Sequence, residues 1–343
     1  MESIFVSALR SFFRAFFAVC GILLGLVIFS FVYAMFTGTG FIEEKTTMTI
    51  LSDASGKRMM VSPTAPAILQ LNIHGPIGID RLDLSSETVE NILIESRMGM
   101  LSHDRVKGIL LHINTPGGTV VDSDNIYRML QQYKERYQVP VFAYVDGLCA
   151  SGGMYIASAA DQIFASPSSA IGSVGVIYGP FMNVYQAMGK IGVEAKTLTE
   201  GIDKDTLNPM RPWKEGEDQW IKDILAFSYD RFLTVVTTGR ARLTKDLLIH
   251  TLGARMFNCE TAQKLGYVDH AMSSREEALL ALCEQVQIDP GHPYQVVELS
   301  PKRNWLSGLV NGTSPLVSGK VEHGFAWEGD TKKAPFSYLY QAK

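Results

Sequence analysis

The sequence predicts an α/β domain with a mainly parallel sheet and crossover helices, preceded by one N-terminal transmembrane helix. Two observations carry this prediction. Residues 15–36 hold no charged side chain and consist mostly of Phe, Val, Leu, Ile and Ala. From residue 67 to residue 286, short apolar strand patterns alternate with helical patterns, which is typical of parallel sheets with crossover connections. The 343 residues suffice for one large domain with attachments.

The charge-free segment at residues 15–36 is long enough to cross about 30 Å of hydrocarbon as a helix. Arg10 and Arg14 precede it, and Glu43 and Glu44 follow it. The positive-inside rule therefore predicts that residues 1–14 lie in the cytoplasm and that the chain after residue 36 lies across the membrane. A cleaved signal peptide is the competing interpretation. The length of the segment and the lack of a small-x-small cleavage pattern at residues 33–36 favour an uncleaved anchor in the lipid bilayer.

The globular domain is predicted at residues 65–288, between a linker or arm at 37–64 and a loosely structured C-terminal extension at 289–343. Periodicity and capping signals predict strands at 67–73, 106–113, 140–145, 162–165, 174–177, 194–198 and 267–268. Helices are predicted at 85–100, 122–137, 181–190, 217–238, 244–252, 259–265 and 274–286. Within the extension, residues 300–333 are expected to be extended or partly disordered, and residues 335–340 to form a short docking strand.

Composition narrows the classes of function. The formal net charge is −4 and the apolar fraction is 46%. Neither value indicates a strongly basic surface, so no nucleic-acid partner is expected. The four cysteines show no spacing typical of metal ligands, and Cys20 lies inside the apolar segment. We therefore expect no metal site, no disulfide framework and no cofactor.

One stretch has the pattern of a nucleophile turn. Residues 146–153 read DGLCASGG and connect an apolar strand to a helix. Ser151 would then lie at a helix N-terminus, where unpaired N–H groups and the helix dipole favour an oxyanion. Taken alone, the pattern favours a helix-capping serine. Cys149 stands where the G-x-S-x-G motif of α/β-hydrolases needs glycine, and it is a disfavoured rival nucleophile.

A nucleophilic serine needs a base. None of the seven histidines lies in a loop that an α/β layout brings to Ser151, and His112 falls inside a predicted buried strand. A histidine triad stays open but without positive support. Lysine is the alternative base, since burial can make the neutral amine available. Lys204 in the loop GIDKDTLNP is the best candidate, although a solvated lysine between Asp203 and Asp205 is the simpler interpretation of that loop alone.

Taken together, these segments resemble the SppA/SohB family of signal peptide peptidases, which are membrane-anchored Ser-Lys peptidases of the ClpP/crotonase superfamily. Four segments match in order, and a fifth resembles the segment that closes the family's catalytic domain. They are INTPGG at 113–118, ASGGMY at 150–155, IGSVGV at 171–176, the loop that carries Lys204, and AQKLGYVD at 262–269. The resemblance covers roughly residues 67–284 and the N-terminal anchor.

The resemblance implies a ClpP/crotonase-like fold and a role for each matched residue. Ser151 is similar to the family's nucleophile, Lys204 to its general base and Ser173 to the serine that orients the lysine. Gly118 and Gly152 would supply the backbone N–H groups of the oxyanion hole. By the same resemblance, the substrates would be leftover signal peptides or other hydrophobic segments near the membrane. The enzyme would be a homo-oligomeric ring in the bacterial inner membrane, with its catalytic domain on the periplasmic side.

Two other classes of function stay open. The superfamily also includes crotonase-like acyl-CoA enzymes, which use the same oxyanion hole without a nucleophile. The membrane anchor and the Ser151-Gly152-Gly153 turn argue against that class. A non-catalytic, membrane-associated binding protein on the same fold is the second alternative, and an intact serine-lysine pair disfavours it.

Overall fold

The computed structural model describes residues 4–37, 45–79, 84–289, 291–302 and 337–339. It divides into two units, Met1–Lys45 and Thr46–Lys343. The first unit contains one helix, α1 (Ile4–Thr37), in which Leu9–Ser30 is long and apolar enough to cross a membrane. This span begins earlier than the predicted residues 15–36 because the same continuous helix also includes Arg10 and Arg14. Residues 38–44 of the predicted linker lie outside the described part.

The second unit alternates strands and helices as predicted. Its strands are β1 (Thr46–Leu51), β2 (Ala67–His74), β3 (Val106–Thr115), β4 (Gly117–Thr119), β5 (Val141–Ala150), β6 (Gln162–Ala165), β7 (Ala170–Gly172), β8 (Met256–Asn258), β9 (Gln295–Pro301) and β10 (Ser337–Leu339). Its helices are α2 (Ser86–Glu95), α3 (Val120–Tyr137), α4 (Gly152–Ala157), α5 (Tyr185–Lys190), α6 (Gln219–Gly239), α7 (Cys259–Leu265) and α8 (Arg275–Gln285). A 3-10 turn at Gly99–Leu101 and a π-helical turn at Leu247–Leu252 complete the described elements.

The main sheet has the order β1-β9-β2-β3-β5-β7-β8, and β6 also pairs with β5. The pairs of the inner strands β9, β2, β3, β5, β6 and β7 are parallel, whereas β1 with β9 and β7 with β8 are antiparallel. The predicted α/β class with a mainly parallel sheet and crossover helices is therefore confirmed. A second, two-stranded sheet joins β10 antiparallel to β4.

Apolar side chains cover both faces of the inner strands, as the continuous hydrophobic runs predict. Successive residues of a strand point to opposite faces, so Leu69 and Leu71 join the larger cluster while Ile68 joins the smaller one. Helix α3 contributes to the larger cluster and α8 to the smaller one. The carboxyl ends of β2, β3 and β5 consequently meet at one edge of a fully packed sheet.

Some predicted boundaries are wrong for identifiable reasons. Residues 174–177 and 194–198 are not strands. Val174 is buried in the core without pairing to a described strand, and residues 194–198 are exposed. Residues 267–268 are not a strand either, and an isolated bridge to Phe164 forms only at His270. The sheet also extends beyond the predicted domain boundary at 288, because β9 lies between β1 and β2.

The short docking strand predicted at residues 335–340 is present as β10. The predicted disorder at 300–333 falls mostly outside the described residues.

Candidate active site

Ser151 occupies a sharp turn between β5 and α4. Its backbone has φ 53° and ψ −114°, in the left-handed half of φ/ψ space that non-glycine residues rarely adopt. The turn is held by the Ser151 N–H, which donates to Gly172 O at 3.0 Å, and by the Tyr155 N–H, which donates to Ser151 O at 3.0 Å. The side chain is 1% exposed, and its Oγ makes a long contact of 3.5 Å with Gly175 O. A buried hydroxyl on a strained strand-to-helix turn is typical of a catalytic nucleophile.

The backbone amides of Gly118 and Gly152 lie close to the Ser151 turn. A Cβ added at Gly152 would lie 2.4 Å from Ser123 Oγ and 3.3 Å from Gly118 N, so the two glycine backbones are near neighbours. The Ile77 N–H donates to Gly117 O and the Thr119 N–H donates to Ile77 O, both at 2.9 Å. Because neighbouring residues of a strand present their amides to opposite sides, the Gly118 N–H points away from Ile77.

Glycine is required at both positions by close approach rather than by backbone freedom. A Cβ at Gly118 would lie 2.0 Å from Ile77 O, closer than any real contact. The adjacent Gly117 bends the chain with φ 97° after Pro116. The INTPGG and ASGG motifs therefore lie side by side, with Gly118 close to Gly152 and to the Ser151 turn.

Ser173 lies on the segment next to the nucleophile. It follows Gly172, whose carbonyl accepts from the Ser151 N–H, and its own N–H donates to Arg255 O at 2.9 Å. Its side chain is 7% exposed. Ser173 is thus held in the immediate surroundings of Ser151 by backbone hydrogen bonds on both sides.

Lys204 has a different setting. It lies in a series of turns on the segment at 177–216, which we call the arm, and its side chain is exposed. Within the described residues, its ammonium group makes no hydrogen bond or ion pair, and Ser151 Oγ contacts only a carbonyl. Asp205 Oδ2 accepts from Arg211 Nε at 2.6 Å, and Asp205 Oδ1 accepts from Asn208 Nδ2 at 2.6 Å. The hydrogen bonds from Arg211 and Asn208 hold the pKa of Asp205 below its usual value, and this carboxylate is therefore engaged away from Lys204.

The alternative nucleophile and bases fit poorly. Burial raises the pKa of the Cys149 thiol to about 12, so the reactive thiolate is suppressed. Burial, together with the adjacent His74, lowers the pKa of His112 to about 4. The rings of His74 and His112 pack edge to face with centroids 4.6 Å apart. Neither histidine hydrogen-bonds to Ser151 within the described chain.

Sequence reasoning missed one polar centre beside the site. The carboxylate of Asp122 accepts hydrogen bonds from Thr119 and from Ser86. The pattern Thr119-x-x-Asp122 before an apolar helical run is a variant of the capping box and would have indicated this contact.

Residues 134–289 match the model of peptidase family S49. This part of the chain is therefore similar to family S49 peptidases. It is 28% identical over 337 residues to an Enterococcus faecium protein that bears the name of the signal peptide peptidase SppA, covering 93% of this chain and 96% of that one. It is 26% identical over 248 residues to the chloroplastic serine protease SPPA of Arabidopsis thaliana, covering 72% of this chain and 35% of that one.

Among solved structures, the chain is similar to the membrane-bound stomatin-specific protease 1510-N. The sequence identity is 17%, the TM-score is 0.42, and the match covers 71% of this chain and 100% of that one. The family match and the sequence relatives, together with the apolar helix, support a membrane-anchored serine peptidase that acts on peptides.

Proposed function

We propose that the chain is an endopeptidase in which Ser151 is the acylating nucleophile and Lys204 is its general base. The observation that carries this proposal is the convergence of a buried, strained serine with the Gly118 and Gly152 amides. A serine that only capped a helix would accept a hydrogen bond from the following turn, and Ser151 makes no such bond.

The proposed reaction has two halves. The neutral amine of Lys204 takes the proton from Ser151 Oγ, which attacks the carbonyl carbon of the scissile bond. The oxygen that becomes negative accepts hydrogen bonds from the Gly118 and Gly152 N–H groups. The lysine ammonium then gives its proton to the leaving amine, and water hydrolyses the acyl-serine by the reverse proton path. Ser173, held beside Ser151, would accept a hydrogen bond from the amine and orient it.

The exposed position of Lys204 supports a site that two copies of the chain complete together. The arm carries several large apolar side chains whose exposure is unusual for a monomer. Their exposed fractions are 76% for Met182, 75% for Ile191, 83% for Leu198 and 96% for Ile202. Packing these side chains against a second copy would bury Lys204. In a closed ring, every arm would pack against a neighbouring copy and none would stay exposed.

Two surfaces next to Ser151 support a hydrophobic, extended peptide as substrate. Strand β10 pairs antiparallel with β4, with Tyr338 opposite Gly118, so this edge accepts an added strand. A cavity of about 290 Å³ adjoins Gly175, whose carbonyl contacts the nucleophile. Its lining is apolar apart from one tyrosine hydroxyl and consists of Val174, Gly175, Val176, Leu225, Ala226, Tyr229 and Ala254. Leftover signal peptides, or other membrane-derived segments, have the matching chemistry.

The proposed location is the bacterial inner membrane, with residues 1–14 in the cytoplasm and the peptidase unit on the periplasmic side. Arg10 and Arg14 at the start of the apolar helix support this orientation through the positive-inside rule. Proteinase K added to intact spheroplasts should digest the peptidase unit. Protection of that unit until the membrane is lysed would reverse the assignment.

The catalytic proposal is tested with a fluorophosphonate probe and an apolar fluorogenic peptide on detergent-solubilised full chain. The wild type should be labelled at Ser151, whereas Ser151→Ala should be neither labelled nor active. Co-expressing Ser151→Ala with Lys204→Ala should restore part of the activity, because some sites then combine the intact serine of one copy with the intact lysine of another. Failure of the mixture with an active wild type would place both residues in one copy, and peptide hydrolysis by both single variants would refute the dyad.

A further inference from the structure

Asp122 connects three elements around the oxyanion amide of Gly118. It is the third residue of α3, which begins directly after β4. Its Oδ2 accepts from Thr119 Oγ1 at 2.6 Å. Its Oδ1 accepts from both the N–H and the Oγ of Ser86, at 2.8 and 2.7 Å. One carboxylate therefore connects the end of β4 to the first residue of α2.

Asp122 also contacts the segment after β2, where Ile77 forms an isolated bridge with Gly118. A Cβ added at Gly78 would lie 2.1 Å from Asp122 Oδ2, so the carboxylate packs directly on this backbone. Gly78 follows Ile77, whose N–H and C=O bond to Gly117 and Thr119. Both neighbours of Gly118 in β4 are thereby held in place. Gly117 is bonded to Ile77, and Thr119 is bonded to both Ile77 and Asp122.

The negative charge also suits its position. The first turns of α2 and α3 present unpaired N–H groups and the positive ends of two helix dipoles. Asp122 receives the Ser86 N–H of α2, and its own N–H donates to Thr119 Oγ1 at 3.0 Å. A neutral side chain of the same shape would lose the attraction to both helix ends and one acceptor oxygen.

We propose that Asp122 is a positioning residue for the oxyanion hole, which it serves by holding Thr119 so that the Gly118 N–H points at the substrate carbonyl. This inference rests on the proposed function and adds a residue that does not touch the substrate. The amide must meet the carbonyl oxygen most closely in the transition state, so loss of the support reduces the rate of acylation more than the binding of substrate.

The test compares Asp122→Asn with the wild type in the full, detergent-solubilised chain. We expect kcat and the rate of fluorophosphonate labelling to fall by about tenfold or more, with KM within about twofold, because a displaced donor weakens only the transition state. Glu135→Gln is the matched control, since Glu135 lies exposed on the same helix, and it should match the wild type.

The partner hydroxyl supplies a second variant if Asp122→Asn fails to fold. Thr119→Val should show the same loss of kcat with unchanged KM, and Thr119→Ser should restore the rate because it keeps the hydroxyl. In the double variant the two losses should not multiply, since both remove one contact. Three results would each overturn the inference. Both single variants could be labelled within about twofold of the wild-type rate, kcat and KM could change equally, or the two losses could multiply in the double variant. An unlabelled wild type would refute the proposed function instead.

Discussion

The surroundings of Ser151 and the arm that carries Lys204 are built in opposite ways. Around Ser151, buried strands, two close backbone approaches and several backbone hydrogen bonds leave no room for an added methyl group. In the arm, α5 buries no side chain and residues 191–204 are exposed throughout. A nucleophile and an oxyanion hole need fixed geometry, which a packed sheet edge provides within one chain. A base on an exposed segment gains its geometry only from what packs against it.

The largest effect that separates the two regions is a catalytic loss without a loss of stability. Lys204→Met should lower kcat by about 10⁴-fold or more, as removal of other catalytic bases does. The melting temperature of the dissociated chain should stay unchanged, because the side chain is exposed within one copy. Lys107→Met, at an exposed lysine of the packed unit, is the control for charge. Full activity of Lys204→Met would remove it as the base.

A glycine-to-alanine pair contrasts packing in the two regions. Gly152→Ala places a methyl group 2.4 Å from Ser123 Oγ, and we expect a loss of about 1–3 kcal/mol of unfolding free energy together with slow labelling. Gly189→Ala, in α5 with no atom within 4 Å of the added methyl, should instead gain about 0.5–1 kcal/mol. Chemical denaturation measures both. Equal effects would mean that the arm is as tightly packed as the sheet edge.

The proposed assembly predicts that the arm is the more sensitive surface. Ile202 is 96% exposed and Met60 is 90% exposed, so neither contributes to packing within one chain. Ile202→Ser should shift the protein to smaller species in analytical ultracentrifugation and reduce activity with them. Met60→Ser should leave the assembly intact. An unchanged sedimentation profile for Ile202→Ser would argue against the arm as the interface.

The smallest expected effect concerns Cys149. Cys149→Ala removes a buried thiol that the pKa of about 12 keeps protonated. Peptidase activity should stay within about twofold of the wild type, with a stability cost of about 1 kcal/mol from the lost packing. A near-complete loss of activity, with Ser151→Ala still active, would make Cys149 the nucleophile.

The same contrast explains what sequence reasoning could reach. Periodicity located β3, α3 and α6 because their buried stripes repeat over several turns or residues. The resemblance to the SppA/SohB motifs pointed to Gly118, Ser151 and Gly152, whose backbones lie close together in the structure and whose catalytic roles are our proposal. Two strand predictions failed for different reasons. Residues 174–177 begin in the core, where Val174 is buried without joining the sheet. Residues 194–198 of the arm are exposed, and their apolar side chains imitate the pattern of a buried strand.

Long-range placement was the other limit. Strand β9 joins the sheet more than 200 residues after β2, and nothing local in residues 295–301 indicates that partner. The pairing of Asp122 with Ser86 likewise depends on how α2 meets α3. Under the proposed assembly, the position of the Lys204 ammonium relative to Ser151 depends on contacts between copies, which local sequence patterns do not encode.

The pairing of β10 with β4 has a consequence for the binding of free peptides. Ser337–Leu339 belong to the same chain as the edge they occupy, so they compete for it as a tethered ligand whose effective concentration does not depend on the bulk solution. A free peptide displaces β10 only if its own concentration exceeds this effective concentration or if it binds the edge more tightly. Competition from β10 would therefore favour the cleavage of peptides that are abundant or bind strongly over peptides that are dilute and bind weakly.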